Sequence, residues 1–502
     1  MKASEVFAVL KKDGILLEIS GLPPEVDISG IAYESGKVKN GFVFAAALGA
    51  VTDGHNYIPE AIRNGAILIL CEKREAYETY KQAYPECFFV LTQNTRRALA
   101  LLSAAFFGYP AEKLKLIGLT GTKGKTSTSF MLRSILEAAD IPTGLIGTTG
   151  IYYGEHYEYI DNSTPESYEL QRIFADMVKC GMKMCVMEVS SQALKLDRVY
   201  GLRFDTAVFT NISPDHIGKG EHEDFEEYLA CKGKLFRMCE RAAINADSDR
   251  IDYITDILKE RHVPYVTYSC KNDAADFYGY REKFYMENGD MKTEYTLRCA
   301  KGEERVFVGV PGKFSVYNSL CALSAAAFYE IPFSVSLPAL EKVHVIGRTE
   351  PVKHPKGKVP VIIDYAHNAL SLQSLFDAVR AYHPKRIICV FGAGGNRSRM
   401  RRFDMGEIAG KNADLSVITS DNPRDEDIGT IISDILWGIA KTEGRYAVIK
   451  DRAEAIRYAL EHAEEGDIVL LAGKGQQKFE EIRGVKYPFD ERQVVKDFYD
   501  AL

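Results

Sequence analysis

A three-domain α/β fold is predicted for this chain, and three observations predict it. Its 502 residues exceed what one hydrophobic core usually serves. A buried strand near Leu114 runs into a glycine-rich turn and then a helical pattern, the start of an α/β domain. Towards the carboxyl terminus, short apolar runs alternate with helical segments, as in a doubly wound parallel sheet.

In order along the chain, Phe42-Val-Phe-Ala-Ala-Ala and Ala66-Ile-Leu-Ile-Leu read as strands of a small mixed unit whose edge falls near Tyr109-Pro110. Leu114-Lys-Leu-Ile-Gly-Leu follows as a buried strand, and the periodicity predicts a helix from about Thr126 to Ala139. Lys183-Met-Cys-Val-Met and Thr206-Ala-Val-Phe-Thr continue that domain, and a tyrosine-rich stretch around residues 265 to 310 reads as added β structure. The third set of strands is Val359-Pro-Val-Ile-Ile, Arg386-Ile-Ile-Cys-Val-Phe, Leu415-Ser-Val-Ile-Thr and Ile468-Val-Leu-Leu. Each runs directly into a polar or glycine-rich loop, and in open parallel sheets ligands sit at the carboxyl ends of the strands.

Composition excludes several classes. Hydrophobic residues at 46% and charged residues at 26% are those of ordinary globular domains. A formal charge of -7 gives no electrostatic footprint for nucleic acid. The start of the chain is too interrupted by charge for a secretory signal, and no stretch reaches membrane-spanning length, so a cytoplasmic protein is expected, with a monomer as the default. The ten cysteines show no C-x-x-C pair and no zinc spacing, which reads as buried thiols in a reducing compartment.

The strongest chemical signal is Gly118-Leu-Thr-Gly121-Thr-Lys-Gly124-Lys125-Thr126-Ser127, lying between a predicted strand and a predicted helix. Glycines let backbone N–H groups close around phosphate oxygens, and the helix start adds a positive dipole end. Lys125 can reach the terminal phosphates of ATP and Thr126 can offer its hydroxyl to Mg²⁺. Leu119 stands where the first glycine of the strict Walker form would fall, with Gly118 one position early. The competing reading is a tight turn without a ligand.

Several further motifs occur in order: Ser163-Thr-Pro165, Met187-Glu-Val-Ser-Ser191, Thr210-Asn-Ile-Ser-Pro-Asp-His216, Tyr317-Asn318, Gly347-Arg-Thr-Glu350, Asp364-Tyr-Ala-His367 and Asp421-Asn-Pro-Arg424. Together with the phosphate loop they make the chain resemble the Mur ligases over nearly its whole length, most closely the branch that adds the third amino acid of the muramoyl peptide. The resemblance implies three domains, placed here at 1–110 for the UDP-precursor, 111–342 for a central P-loop ATPase and 343–502 for a Rossmann-like amino-acid-binding domain. It also implies that ATP phosphorylates the precursor carboxylate and that the amine of the incoming amino acid then attacks the acyl phosphate.

Residue roles follow from the same resemblance. The loop residues Gly121, Thr122, Lys123, Gly124, Lys125, Thr126 and Ser127 hold ATP, joined by Asn318, Arg348 and His367. Thr126, Glu188 and His216 hold Mg²⁺, with Lys125, Glu188, His216 and Lys232 forming the catalytic set. Lys232 falls where the family carries a carbamylated lysine, N6-carboxylysine, with Lys234 a near competitor. Ser35, His55, Ser163, Thr164, Ser190 and Arg198 align with residues that hold the precursor, and the Arg198 fork suits a phosphate or carboxylate. Arg402, Asp421, Asn422, Arg424, Gly473 and Gln477 fall to the amino acid, and Asp421-Asn-Pro-Arg424 resembles the mark of meso-diaminopimelate users. The ordinary readings are helix caps, inter-domain salt bridges, an Asx-Pro turn and a solvated lysine.

Departures from the family text cluster at the substrate sites. Glu34-Ser-Gly36 replaces Asp-Ser-Arg, Gln192 replaces a His, Asn368-Ala-Leu follows Asp-Tyr-Ala-His, and Gly394-Gly-Asn-Arg-Ser398 replaces Gly-Gly-Asp-Arg-Asp. Gly473-Lys-Gly-Gln-Gln477 stands where relatives have Gly-Lys-Gly-His-Glu and use the Glu on the amine of diaminopimelate. Two alternatives therefore stay open: a divergent paralogue acting on another acyl acceptor or another amino acid such as L-lysine, and a non-catalytic nucleotide-binding regulatory protein.

Overall fold

The computed structural model describes residues 1–21, 26–49, 52–215, 217–218, 221–287 and 290–502. By compactness the chain divides into two units, one of Met1–Ser129 with Ala139–Thr267 and one of Phe130–Ala138 with Tyr268–Leu502.

The first unit holds two α/β sheets. In the amino-terminal one, the strands Leu16–Ile19, Phe88–Thr92, Ala66–Cys71, Phe42–Ala45 and Gly30–Ala32 lie side by side in that order, parallel except for the first. Val43, Leu68, Leu70 and Val90 pack on one face and Phe44, Ile69, Phe89 and Leu91 on the other, the alternation of a sheet covered on both sides. In the central one, Cys239–Asn245, Phe204–Phe209, Lys115–Thr120, Met184–Glu188 and Thr143–Gly147 are successive neighbours, all parallel where paired in register. Lys115–Thr120 comes first in the chain and ends up in the middle, so the direction of winding reverses beside it and a crevice opens at its carboxyl end. The helix Lys125–Ala138 starts there, one residue earlier than the periodicity predicts.

The second unit carries an antiparallel meander, Phe277–Glu287, Asp290–Cys299 and Gly302–Val308, which is the β structure expected around residues 265 to 310. It also carries a sheet ordered Glu350–Val352, Val361–Asp364, Ile468–Ala472, Ile387–Phe391, Leu415–Ile418 and Tyr446–Val448, parallel except at its first strand. The helices Ala369–Arg380, Arg399–Asn412 and Ile428–Ile439 cover one face and Arg452–Glu461 and Glu491–Asp500 the other. The four strands predicted for this region are present within two residues at each end. The hairpin of Phe479–Ile482 and Val485–Pro488 has no counterpart in the sequence reading. Among the described residues, no helix is long and apolar enough to cross a membrane.

Candidate functional site

The phosphate loop closes the carboxyl end of Lys115–Thr120, clamped by the end of the neighbouring strand. The Thr122 amide donates to the Asn211 carbonyl at 2.9 Å, and the Lys123 amide to the Asn211 side-chain oxygen at 2.9 Å. The Thr210 hydroxyl donates to the Lys123 carbonyl at 2.7 Å. Gly121 is a glycine of necessity: its φ is +149°, and a Cβ there would lie 2.0 Å from the Thr210 hydroxyl oxygen. Thr210 and Asn211 stand in a quoted motif, yet their clamping role needs two strand ends to be adjacent, which the sequence does not state.

Two lysines meet on one carbonyl. Lys125 donates to the Gly121 oxygen at 2.7 Å, and Lys232, on the helix Phe225–Gly233, donates to the same oxygen at 2.9 Å. Lys232 is 1% exposed, with its amine 4.3 Å from the Tyr228 ring centroid. Burial, reinforced by the neighbouring Lys125 charge, holds its pKa well below the usual lysine value. This overrides the ordinary expectation of a solvated lysine.

Glu188 ends the strand Met184–Glu188 and is also buried. Its carboxylate accepts from the Thr126 hydroxyl at 2.9 Å, the Thr148 amide at 2.9 Å and the Thr148 hydroxyl at 3.0 Å. Thr148 escaped the sequence reading because nothing local marks it. His216 lies outside the described residues.

Beside Glu188 stand the residues assigned to the precursor. Thr164 donates to the Glu188 carbonyl at 3.0 Å, and its hydroxyl accepts the Ser190 amide at 3.1 Å. Ser190 caps the helix Ser191–Lys195, while Arg198 donates to the Thr164 carbonyl at 3.0 Å and pairs with Glu166 at 2.9 Å. Ser163 adjoins this group. Ser35 and His55 lie in the amino-terminal region, where Ser35 donates to Glu60 at 2.7 Å. His55 is buried with both ring nitrogens committed: Nδ1 to Asp53 at 2.7 Å, and Nε2 accepting the Glu72 amide at 3.1 Å. These bonds fasten a turn to a strand end.

In the second unit, Arg348, Tyr365 and His367 cluster beyond the strand Val361–Asp364. The Arg348 guanidinium lies 4.9 Å from the Tyr365 ring centroid, and the Tyr365 and His367 rings are 4.6 Å apart. Burial lowers the His367 pKa, with Arg401 and Arg348 adding to it. Asn318 is buried on the helix Lys313–Ala326.

The residues assigned to the amino acid converge at the end of Leu415–Ile418. Asn422 donates to the Gln477 side-chain oxygen at 2.9 Å, and Arg424 donates to the Gly395 carbonyl at 2.7 Å. A Cβ on Gly473 would lie 2.3 Å from an Asp421 carboxylate oxygen, so that glycine lets the two loops touch. Beneath them Lys474, fully buried, ties the Asp421 carbonyl at 3.1 Å to Asn422 at 3.2 Å and the Phe479 carbonyl at 2.9 Å. Arg402 is different: at 1% exposure it pairs with Glu426 at 2.7 Å and Asp434 at 3.1 Å. It ties the loop to the helix Ile428–Ile439.

Comparison with known proteins accords with this geometry. The family model described as Mur ligase middle domain matches residues 119–326, Mur ligase, glutamate ligase domain matches 347–475, and Mur ligase family, catalytic domain matches 27–107. A UDP-N-acetylmuramoyl-L-alanyl-D-glutamate--2,6-diaminopimelate ligase of Caldanaerobacter subterraneus subsp. tengcongensis is 41% identical, covering 96% of this chain and 97% of that protein. One from Clostridium botulinum is 38% identical, covering 95% and 96%. A solved structure described by the same enzyme name superposes with a TM-score of 0.70 at 26% identity, covering 100% of this chain and 99% of the other. Matches of that extent, on a chain whose phosphate loop and strand-end clusters stand where the shared motifs fall, establish that it belongs to the Mur ligase family.

Proposed function

We propose that this ligase joins meso-diaminopimelate to the D-Glu carboxylate of UDP-MurNAc-L-Ala-D-Glu, driven by ATP, in peptidoglycan precursor synthesis. The observation that carries the reading is the convergence of the phosphate loop, the Thr126–Glu188 pair and the buried Lys232 amine around one strand end. Loop amides and Lys125 bind the ATP phosphates, with Asn318, Arg348 and His367 assigned to the rest of the nucleotide. The γ-phosphoryl passes to the precursor carboxylate, the amine attacks the acyl carbon, and inorganic phosphate leaves with the C–N bond formed. Thr164, Ser190 and Arg198 hold the acyl acceptor beside Glu188.

The donor set fits Mg²⁺, since the Thr126 hydroxyl and Glu188 carboxylate are hard oxygen ligands close together, and His216 is the third assigned ligand. When bound, the ion supplies positive charge against the phosphates. Lys232 suits carbamylation because an uncharged amine can add to CO₂, forming an N–C bond and releasing a proton to leave a carbamate. The domains are assigned as 1–110, 111–342 and 343–502, the last carrying Asp421, Asn422, Arg424, Gly473 and Gln477 for the amino acid. The names of the 41% and 38% identical relatives support the substrate pair.

The test is phosphate release from Mg-ATP with UDP-MurNAc-L-Ala-D-Glu, comparing meso-diaminopimelate, L-lysine and no amino acid, with product mass measured. Dependence on meso-diaminopimelate is expected. Dependence on lysine would overturn the amino-acid assignment, and silence with both would turn the reading towards another acyl acceptor.

A further inference from the structure

The hairpin of Phe479–Ile482 and Val485–Pro488 docks on the amino-acid loop through its backbone. The Arg424 amide donates to the Glu481 carbonyl at 3.0 Å and the Arg483 amide to the Arg424 carbonyl at 2.9 Å. The Glu481 amide donates to the Asn422 side-chain oxygen at 2.9 Å. These bonds register the Glu481 carboxylate against the Arg424 guanidinium, with Oε2 3.2 Å from Nε. Arg424 itself has a φ of +51°, a left-handed conformation uncommon for a side-chain-bearing residue. The two side chains are 24% and 26% exposed, partly shielded yet reachable.

We propose that Glu481 is a specificity-determining residue of the amino-acid site, pairing with the distal ammonium of a diamino acid whose distal carboxylate goes to Arg424. The inference rests on the reading of this chain as a diaminopimelate ligase. The far end of meso-diaminopimelate carries an ammonium and a carboxylate on one carbon, and the Arg424–Glu481 pair is its charge complement. Such a zwitterion exchanges one ion pair for two and leaves no charge alone. Lysine would satisfy Glu481 but leave Arg424 beside a second cation. L-2-Aminopimelate, which lacks only the distal amine, would satisfy Arg424 but set a carboxylate beside Glu481. Discrimination of this kind comes from the unpaired charge left by the wrong partner. Gln477 cannot supply the anion, being uncharged and with its side-chain oxygen taken by Asn422. The hairpin brings it instead.

The experiment measures kcat/KM of the full chain for meso-diaminopimelate, L-lysine and L-2-aminopimelate in wild type, Glu481→Gln, Glu481→Asp and Arg424→Gln, with thermal unfolding as the check on folding. Glu481→Gln is expected to lower the preference for meso-diaminopimelate over L-2-aminopimelate by about tenfold or more, the scale of one charge-assisted contact. Glu481→Asp regains part of that preference, and Arg424→Gln erodes the preference over lysine instead. If wild type uses meso-diaminopimelate while Glu481→Gln keeps the ratio within about twofold, the role of Glu481 is overturned and the diaminopimelate reading stands. Should Glu481→Gln fail to fold, Glu481→Asp decides on the same ratio. A wild type indifferent to meso-diaminopimelate overturns both.

Discussion

The loop after Lys115–Thr120 and the loop after Leu415–Ile418 occupy the same kind of position, the carboxyl end of a parallel strand, and are built on opposite principles. In the first, the loop is shaped by glycine and by bonds to the neighbouring strand end, and Lys125 and Lys232 are both tied to a backbone carbonyl. In the second, side chains from separate segments hold one another through ion pairs and amide bonds: Arg424 with Glu481, Asn422 with Gln477, Arg402 with Glu426 and Asp434. A backbone-built site tolerates little change, because its geometry is fixed by φ angles and close approach. A side-chain-built site can exchange one charge carrier for another. That difference accounts for where this chain departs from its family's text: in the substrate loops, with Gln477 for a glutamate, while the glycines, lysine and threonine of the phosphate loop stay in place.

The largest effect that would sharpen the comparison is at Lys125. Lys125→Ala is expected to reduce phosphate release from Mg-ATP by about 10²-fold or more even at saturating amino acid, the scale found when a preorganised charge donor to a transferring group is removed. An activity loss that amino acid could restore would place Lys125 in substrate capture and break the contrast between the two loops.

Next in size is Arg402. The guanidinium and its partner Asp434 are both almost wholly buried, so Arg402→Ala takes one of two arginines from that carboxylate and also frees Glu426; Arg399 still holds Asp434 at 3.0 Å. The expected cost is about 2 kcal/mol of unfolding free energy, the upper scale of a lost hydrogen bond to a charged group, read by urea titration. A variant as stable as wild type that instead requires far more amino acid would place Arg402 at the substrate.

The partners of Arg402 show what was and was not legible in the sequence. Strand–loop–helix order, the phosphate loop and the strand ends were legible because each is written in a contiguous stretch with its own periodicity or glycine spacing. The basic run Asn396-Arg-Ser-Arg-Met-Arg-Arg402 was legible as a charge cluster, but which arginine faces a ligand and which faces Asp434 depends on a helix that follows later in the chain. His55 is the same case in small, since only the fold reveals that its acceptor nitrogen meets the backbone of Glu72. Glu481 carried no local signal at all. Its strand is short and half polar, and its meaning comes from docking on Arg424. Partners separated by tens of residues leave no trace in local pattern, so the second site is underdetermined where the first is not.

The smallest expected effect tests whether burial at the first site does to Lys232 what its setting requires. An unfolded chain keeps a lysine protonated up to about pH 10.4. In the folded protein the amine is held well below its usual pKa, by burial first and by Lys125 second. Between those two values the unfolded state binds one more proton, so stability must rise with pH in that window, by on the order of 1 kcal/mol per pH unit, and the slope must vanish below the folded pKa. Lys232→Met has no such proton. In CO₂-free buffer, unfolding free energies measured as pH rises towards the ordinary lysine value should therefore climb more steeply for wild type than for Lys232→Met. Parallel curves would mean that Lys232 keeps its proton in the folded state. The uncharged amine needed for carbamylation would then be missing, and the contrast between a site held by backbone with a neutral lysine and a site held by ion pairs would fail at its first term.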